Sequence, residues 1–229
     1  MQSLGNVEDR AAATVRRGFD LVRSLSCIFL WLGLICAPAA AADLRVTVRG
    51  ASGHPVGDAV VMVHPAAGLP AEPTRFPWPL VVEQRDMQFH PFVLIVPVGA
   101  DVAFPNRDPF RHHVYSFSPA KTFELKLYGR DETRRVRFDR IGVVALGCNI
   151  HDDMSAFIRV VDTPYAAKTG PSGEAVIKDL PTGAATLAVW HPYLRGGHDL
   201  VREIALPDGG AALTVNVELK PAPMSHGGY

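Results

Sequence analysis

Beyond residue 42, no stretch of this chain keeps apolar residues at helical spacing. Apolar residues come instead in short β-branched or aromatic runs. The 20 glycines and 19 prolines of the 229-residue sequence, together with aspartates, separate them. A helix interior tolerates neither glycine nor proline well, so this punctuation predicts an all-β chain of short strands and tight turns. Runs suited to strands cover 44–48, 56–63, 80–84, 92–96, 101–104, 113–117, 123–127, 136–138, 143–146 and 156–161, then 174–177, 185–190, 204–206 and 213–219. The runs between 80 and 161 suffice for a sandwich by themselves. Residues 65–79 carry five prolines and read as an irregular connection.

The first 42 residues read differently. Arg10, Arg16, Arg17 and Arg23 precede an apolar run, Leu25–Cys36, and then the small-residue stretch Ala37-Pro38-Ala39-Ala40-Ala41-Ala42. Basic, apolar and small-residue regions in that order make a secretory signal peptide over 1–42, with a periplasmic destination expected. Arg16-Arg17 faintly resembles a twin-arginine signal. The apolar run is shorter than the ~20 residues of a membrane-spanning helix, so the mature form is expected to have no stable membrane span. Cleavage would also remove Cys27 and Cys36, leaving Cys148 as the one cysteine. An exported chain with one cysteine forms no internal disulfide, so the thiol needs another use. Equal numbers of Lys+Arg and Asp+Glu, 23 each, and the lack of a basic stripe, argue against a nucleic-acid partner.

Cys148 stands in Gly147-Cys148-Asn149-Ile150-His151-Asp152-Asp153-Met154, which spaces a thiol, an imidazole and a thioether three residues apart. These soft-to-borderline donors suit copper and would not be chosen for magnesium or calcium. Zinc wants a stronger fourth donor than Met154. A nucleophile–base pair of Cys148 and His151 lacks a third, orienting group, so no enzyme is expected. The upstream pair His112-His113 can supply a second imidazole. The remaining histidines, His54, His64, His90, His191 and His198, lie beside proline or in turns and are expected at the surface or internally satisfied. Met224 and His226 in the tail, 221–229, are a poor second site, and the tail itself reads as a fraying end.

Two resemblances follow from these pieces. Residues 80–162 resemble the cupredoxins, the small blue copper proteins such as amicyanin and plastocyanin. The likeness rests on Phe89-His90-Pro91, Val98-Gly99-Ala100-Asp101-Val102, Phe104-Pro105-Asn106-Arg107-Asp108 leading into His112-His113-Val114, and Cys148-x2-His151-x2-Met154. It implies a Greek-key β-sandwich holding one type 1 copper per chain through His112, Cys148, His151 and Met154, with His113 as the alternative to His112. It also implies electron transfer with a redox partner, a cytochrome c or a dehydrogenase, and, through amicyanin, a link to amine oxidation. Position 113 holds His where the family has an Asn that ties the two ligand loops together. Asp152 and Asp153 form an acidic rim where apolar residues or proline are usual. The segments 44–65 and 166–220, with Gly53, Gly173, Leu180-Pro181 and Gly183, resemble a carboxypeptidase-regulatory-like (transthyretin-like) β domain, which implies a second, smaller sandwich with residues 66–163 inserted into one of its loops. Two other classes stay open: a copper-delivery or sequestering module, and an interaction module carrying a vestigial metal site.

Overall fold

The computed structural model describes residues 41–151 and 153–222. The signal-peptide reading concerns residues of which 1–40 lie outside this range, as do the Met224–His226 candidates and Asp152. The described chain is all-β. In order, its strands are β1 (Ala41–Gly50), β2 (Val60–Pro65), β3 (Glu83–Arg85), β4 (Gln88–His90), β5 (Val93–Pro97), β6 (Ala100–Pro105), β7 (His112–Ser118) and β8 (Lys121–Tyr128). They continue with β9 (Thr133–Phe138), β10 (Gly142–Cys148), β11 (Ser155–Val161), β12 (Ala166–Lys168), β13 (Glu174–Pro181), β14 (Gly183–Trp190), β15 (Leu200–Leu206) and β16 (Ala211–Val217).

Two sandwiches share these strands. A three-stranded sheet, β13-β1-β16, faces a four-stranded sheet, β12-β2-β14-β15, and Leu44, Val46, Val61, Leu187 and Val215 fill the space between them. A five-stranded sheet, β5-β11-β10-β7-β8, faces the β6-β9 pair and the β3-β4 hairpin, around Phe104, Phe138, Leu146 and Ile158. A third apolar layer joins the outer faces of the four- and five-stranded sheets through Val60, Met62 and Trp190 on one side and Val93 and Ile95 on the other. Strands β2 and β5 are therefore buried on both faces, which is why Val60–Val63 and Val93–Val96 are unbroken apolar runs where a half-exposed strand would alternate. Polar ties cross the same boundary. Arg159 on β11 reaches Asp199 at 2.6 Å and lies over the Trp190 ring, and Lys168 on β12 donates to the Val93 carbonyl.

The strands differ from the sequence expectation in two places. Residues 83–90 form a hairpin, β3-β4, whose two loop residues, Asp86 and Met87, both have positive φ (54° and 58°). That is the geometry of a type I′ turn, which normally shows itself as Asn-Gly or Asp-Gly. With methionine in the second position the signal is missing, and left-handed backbone at such a residue costs on the order of 1–2 kcal/mol. Strand β12 is only Ala-Ala-Lys; it has no strand-forming residue and is recruited by the free edge of β2.

Gly173 shows how tightly the first sandwich closes. Its φ is +77°, and a Cβ there would sit 2.6 Å from the Val48 carbonyl oxygen and 3.0 Å from the Val56 nitrogen. Gly173→Ala is expected to lower the unfolding free energy by about 1–2 kcal/mol or more, read as a lower denaturant midpoint at an unchanged slope.

Candidate metal centre

Strand pairing assembles the site. The last two residues of β10 pair with β7, Gly147 with Tyr115 and Cys148 with Val114, so Cys148 stands beside the start of β7, where His112 is. On its other side β10 pairs with β11, Gly147 opposite Ser155, and the intervening loop carries His151 and Met154. The Met154 N–H donates to the His151 carbonyl at 3.0 Å and tightens that loop. The pairing of β7 with β8 slips between His112 and Val114. The extra residue lies in β8, where Lys126 and Leu127 are exposed in succession before Tyr128 turns inward. His112 and Val114 thus both face the core, and His113 faces the other way.

One ligand atom each from His112, Cys148 and His151 lies within 4.8 Å of the others. Among the described residues this is the one such group of three or more His, Cys, Asp or Glu donors. Cys148 Sγ is 3.9 Å from His112 Nδ1. The His112 side chain is fully buried, Cys148 is 4% exposed and Met154 1% exposed. His151 is half-buried, and its Nδ1 is buried with no hydrogen-bond partner. A buried ring nitrogen without a partner is costly, and a metal ion between it and the neighbouring thiol and imidazole would satisfy it. The residues present therefore fit a soft-to-borderline transition metal. Met154 belongs to the same buried core as Cys148.

The outer nitrogen of His112 is also fixed. Nε2 lies 2.6 Å from Asp108 Oδ2, and Asp108 is itself buried. Burial alone would push the Asp108 carboxyl up. The hydrogen bonds from His112 and from the Met87 and Asp86 N–H groups outweigh it and hold the carboxyl below its ordinary value. An ionised carboxylate only accepts. His112 therefore donates through Nε2–H, which leaves the Nδ1 lone pair directed to the Cys148 side. Buried Asn106 organises the loop leading into His112: its amide nitrogen donates to the Phe110 and Tyr128 carbonyls, and its oxygen accepts from the Asp108 N–H. The Phe110 ring packs against both His112 and His151, with centroids 5.2 and 5.6 Å away.

Of the two adjacent histidines, His112 joins the cluster and His113 does not. His113 instead supplies a link between loops: its Nδ1 lies 3.1 Å from the Asn149 side-chain nitrogen in the cysteine loop, and its Nε2 lies 3.1 Å from Glu124. Asp153 is exposed. Sequence reasoning missed Asp108 as a partner of His112, although the spacing Asp108-x3-His112 was visible.

No family model matches the chain, and no curated protein matches it. Solved structures do. A copper-containing nitrite reductase from Thermus scotoductus SA-01 is 30% identical over 40% of this chain and 25% of its own, with a TM-score of 0.35. The chain thus spans a quarter of that enzyme's length. A purple cupredoxin from Nitrosopumilus maritimus is 22% identical over 33% of this chain and 84% of its own, with a TM-score of 0.31. A reduced mutant of amicyanin is 18% identical over 44% of this chain and 98% of its own, with a TM-score of 0.34.

Proposed function

We propose that this chain is an exported mononuclear copper protein of the blue type that carries electrons between periplasmic partners. One observation carries the reading: a thiol and two imidazoles gather at one end of a sandwich, with a ring nitrogen of His151 buried and unpartnered among them. Cys148, His112 and His151 would hold the metal as thiolate and two imidazoles, with Met154 as a weak fourth donor. When bound, copper supplies one-electron exchange between its two oxidation states.

The chain's own part is to hold those donors still. His112 is fixed by its carboxylate, Cys148 by its pairing with Val114 on β7, and Met154 by burial. Donors fixed in this way limit rearrangement between oxidation states. The rim at His151 carries Phe110 and Ile150, 40% and 49% exposed, and offers a short path to a redox partner, a cytochrome c or a dehydrogenase. Burial of Cys148 and His112 favours retention of the metal over its delivery. The leader-like segment 1–42 supports export. The smaller sandwich, which resembles a transthyretin-like domain, would present the copper unit to its partner.

Copper-loaded protein is expected to be intensely coloured through thiolate-to-copper charge transfer, and visible spectroscopy should show the band lost in Cys148→Ser and His112→Ala but kept in His113→Ala. A colourless copper-loaded wild type without a reversible redox wave would refute the proposal. So would metal loss to a chelator within minutes combined with no electron exchange with a cytochrome, which is the behaviour of a delivery module.

Replacing the weak fourth donor should tune the centre and leave it in place. Met154→Leu is expected to keep the band and raise the reduction potential, measured by protein-film voltammetry.

A further inference from the structure

Asp108 serves three donors at once, only one of which belongs to the candidate metal centre. Its Oδ1 accepts from the Asp86 N–H at 2.7 Å. Its Oδ2 accepts from the Met87 N–H at 3.1 Å and from His112 Nε2–H at 2.6 Å. Asp86 and Met87 are the two left-handed residues at the tip of the β3-β4 hairpin. That conformation presents two consecutive N–H groups toward one point, and Met87, unlike the aspartate before it, does not adopt it readily. Backbone held in such a state persists only where its surroundings over-determine it, and the carboxylate is what meets it here. Gln84 and Asn106 close the same node from behind: the Arg107 N–H donates to the Gln84 carbonyl, and the Asp108 N–H to Asn106.

We propose that Asp108 is a positioning residue for the metal centre and that the Asp86–Met87 turn is its anchor, so that a hairpin tip contributing no ligand sets the orientation and tautomer of the His112 ring. This rests on the copper reading for its metal-bound consequences, but the tautomer is a property of the protein alone. With both carboxylate oxygens occupied by turn N–H groups, the group cannot rotate to follow a moving imidazole. The ring must follow the carboxylate. The Nε2–H···carboxylate bond also strengthens the Nδ1 donor, favouring the more oxidised state of a metal held there.

The test uses the purified protein in metal-free and copper-loaded forms. In the metal-free form, nitrogen-15 shifts of the His112 ring read the tautomer. The expected result is a single Nε2–H tautomer in wild type and its loss in Asp108→Asn, whose side chain offers one acceptor oxygen to three donors. In the copper-loaded form, Asp108→Asn is expected to weaken copper binding by about 10- to 100-fold and to shift the reduction potential upward. Insertion of two glycines between Asp86 and Met87 keeps the carboxylate but withdraws the turn N–H groups. It is expected to weaken copper binding about tenfold and to broaden the His112 ring signals.

An unchanged tautomer and potential in Asp108→Asn, with only a lower thermal midpoint, would overturn the proposal by making Asp108 a staple of the turn. Unchanged binding and ring signals in the insertion variant would remove the turn from it. A protein that binds no copper, yet loses the Nε2–H tautomer in Asp108→Asn, would end the proposed function and leave this inference standing.

Discussion

The antiparallel contact between the end of β10 and the start of β7 is short, two residue pairs, yet the candidate metal centre depends on it. It places Cys148 opposite Val114 and, two residues back along the same face of β7, His112. The contact is tight enough to exclude a side chain: a Cβ on Gly147 would lie 2.7 Å from the Tyr115 ring, so only glycine lets that ring cross the strand beside the cysteine. The uninterrupted alternation of β7 then decides which of two adjacent histidines faces inward: His112 shares the face of Val114, and the extra residue of β8 lets Tyr128 turn inward beside it. Had β8 lacked its extra residue, the inward parity of Tyr128 and that of His112 would no longer agree.

Around this contact, rigidity comes from two sources of different kind. Apolar layers hold the strands: β5 and β11 give one face to the core beneath the centre and the other to the neighbouring sandwich, so neither strand can shift without opening two cores. Hydrogen bonds hold the loops. The buried side chains of Asn106 and Asp108 form one network with the backbone of the β3-β4 tip and of the loop before β7. Such a network is strong when complete and costly when one member is removed.

What could be read before the fold was known follows from how local each feature is. The all-β character was legible because glycine and proline act on their own residue. That Cys148 and His151 come together was legible because they are three residues apart, a spacing that survives without tertiary knowledge. The choice between His112 and His113 depended on which face of β7 meets the core, and that is set by the pairing of Val114 with Cys148, a contact between residues more than thirty apart in the chain. Asp108 lies only four residues from His112, but its other partners, Asp86 and Met87, are more than twenty residues upstream. The turn they form lacks the glycine that would have announced it. Strand β12, three residues without a β-branched side chain, exists because β2 leaves an edge open, which is a tertiary fact.

The order of strands also sets when each part can form. Strand β1 has no partner until β13 and β16 exist, and its register with β16 runs to Val217. The strands around the metal centre, β3 to β11, are complete by Val161 and pair among themselves. During synthesis the inner sandwich can therefore close first, while β1 and β2 wait with open edges for segments more than a hundred residues later. Non-local pairing of this kind is slow and leaves strand edges exposed. The liability of this chain in folding thus falls on the sandwich that carries no donors, and a truncation soon after Val161 would strand its first two β-strands while keeping the strands around the candidate centre.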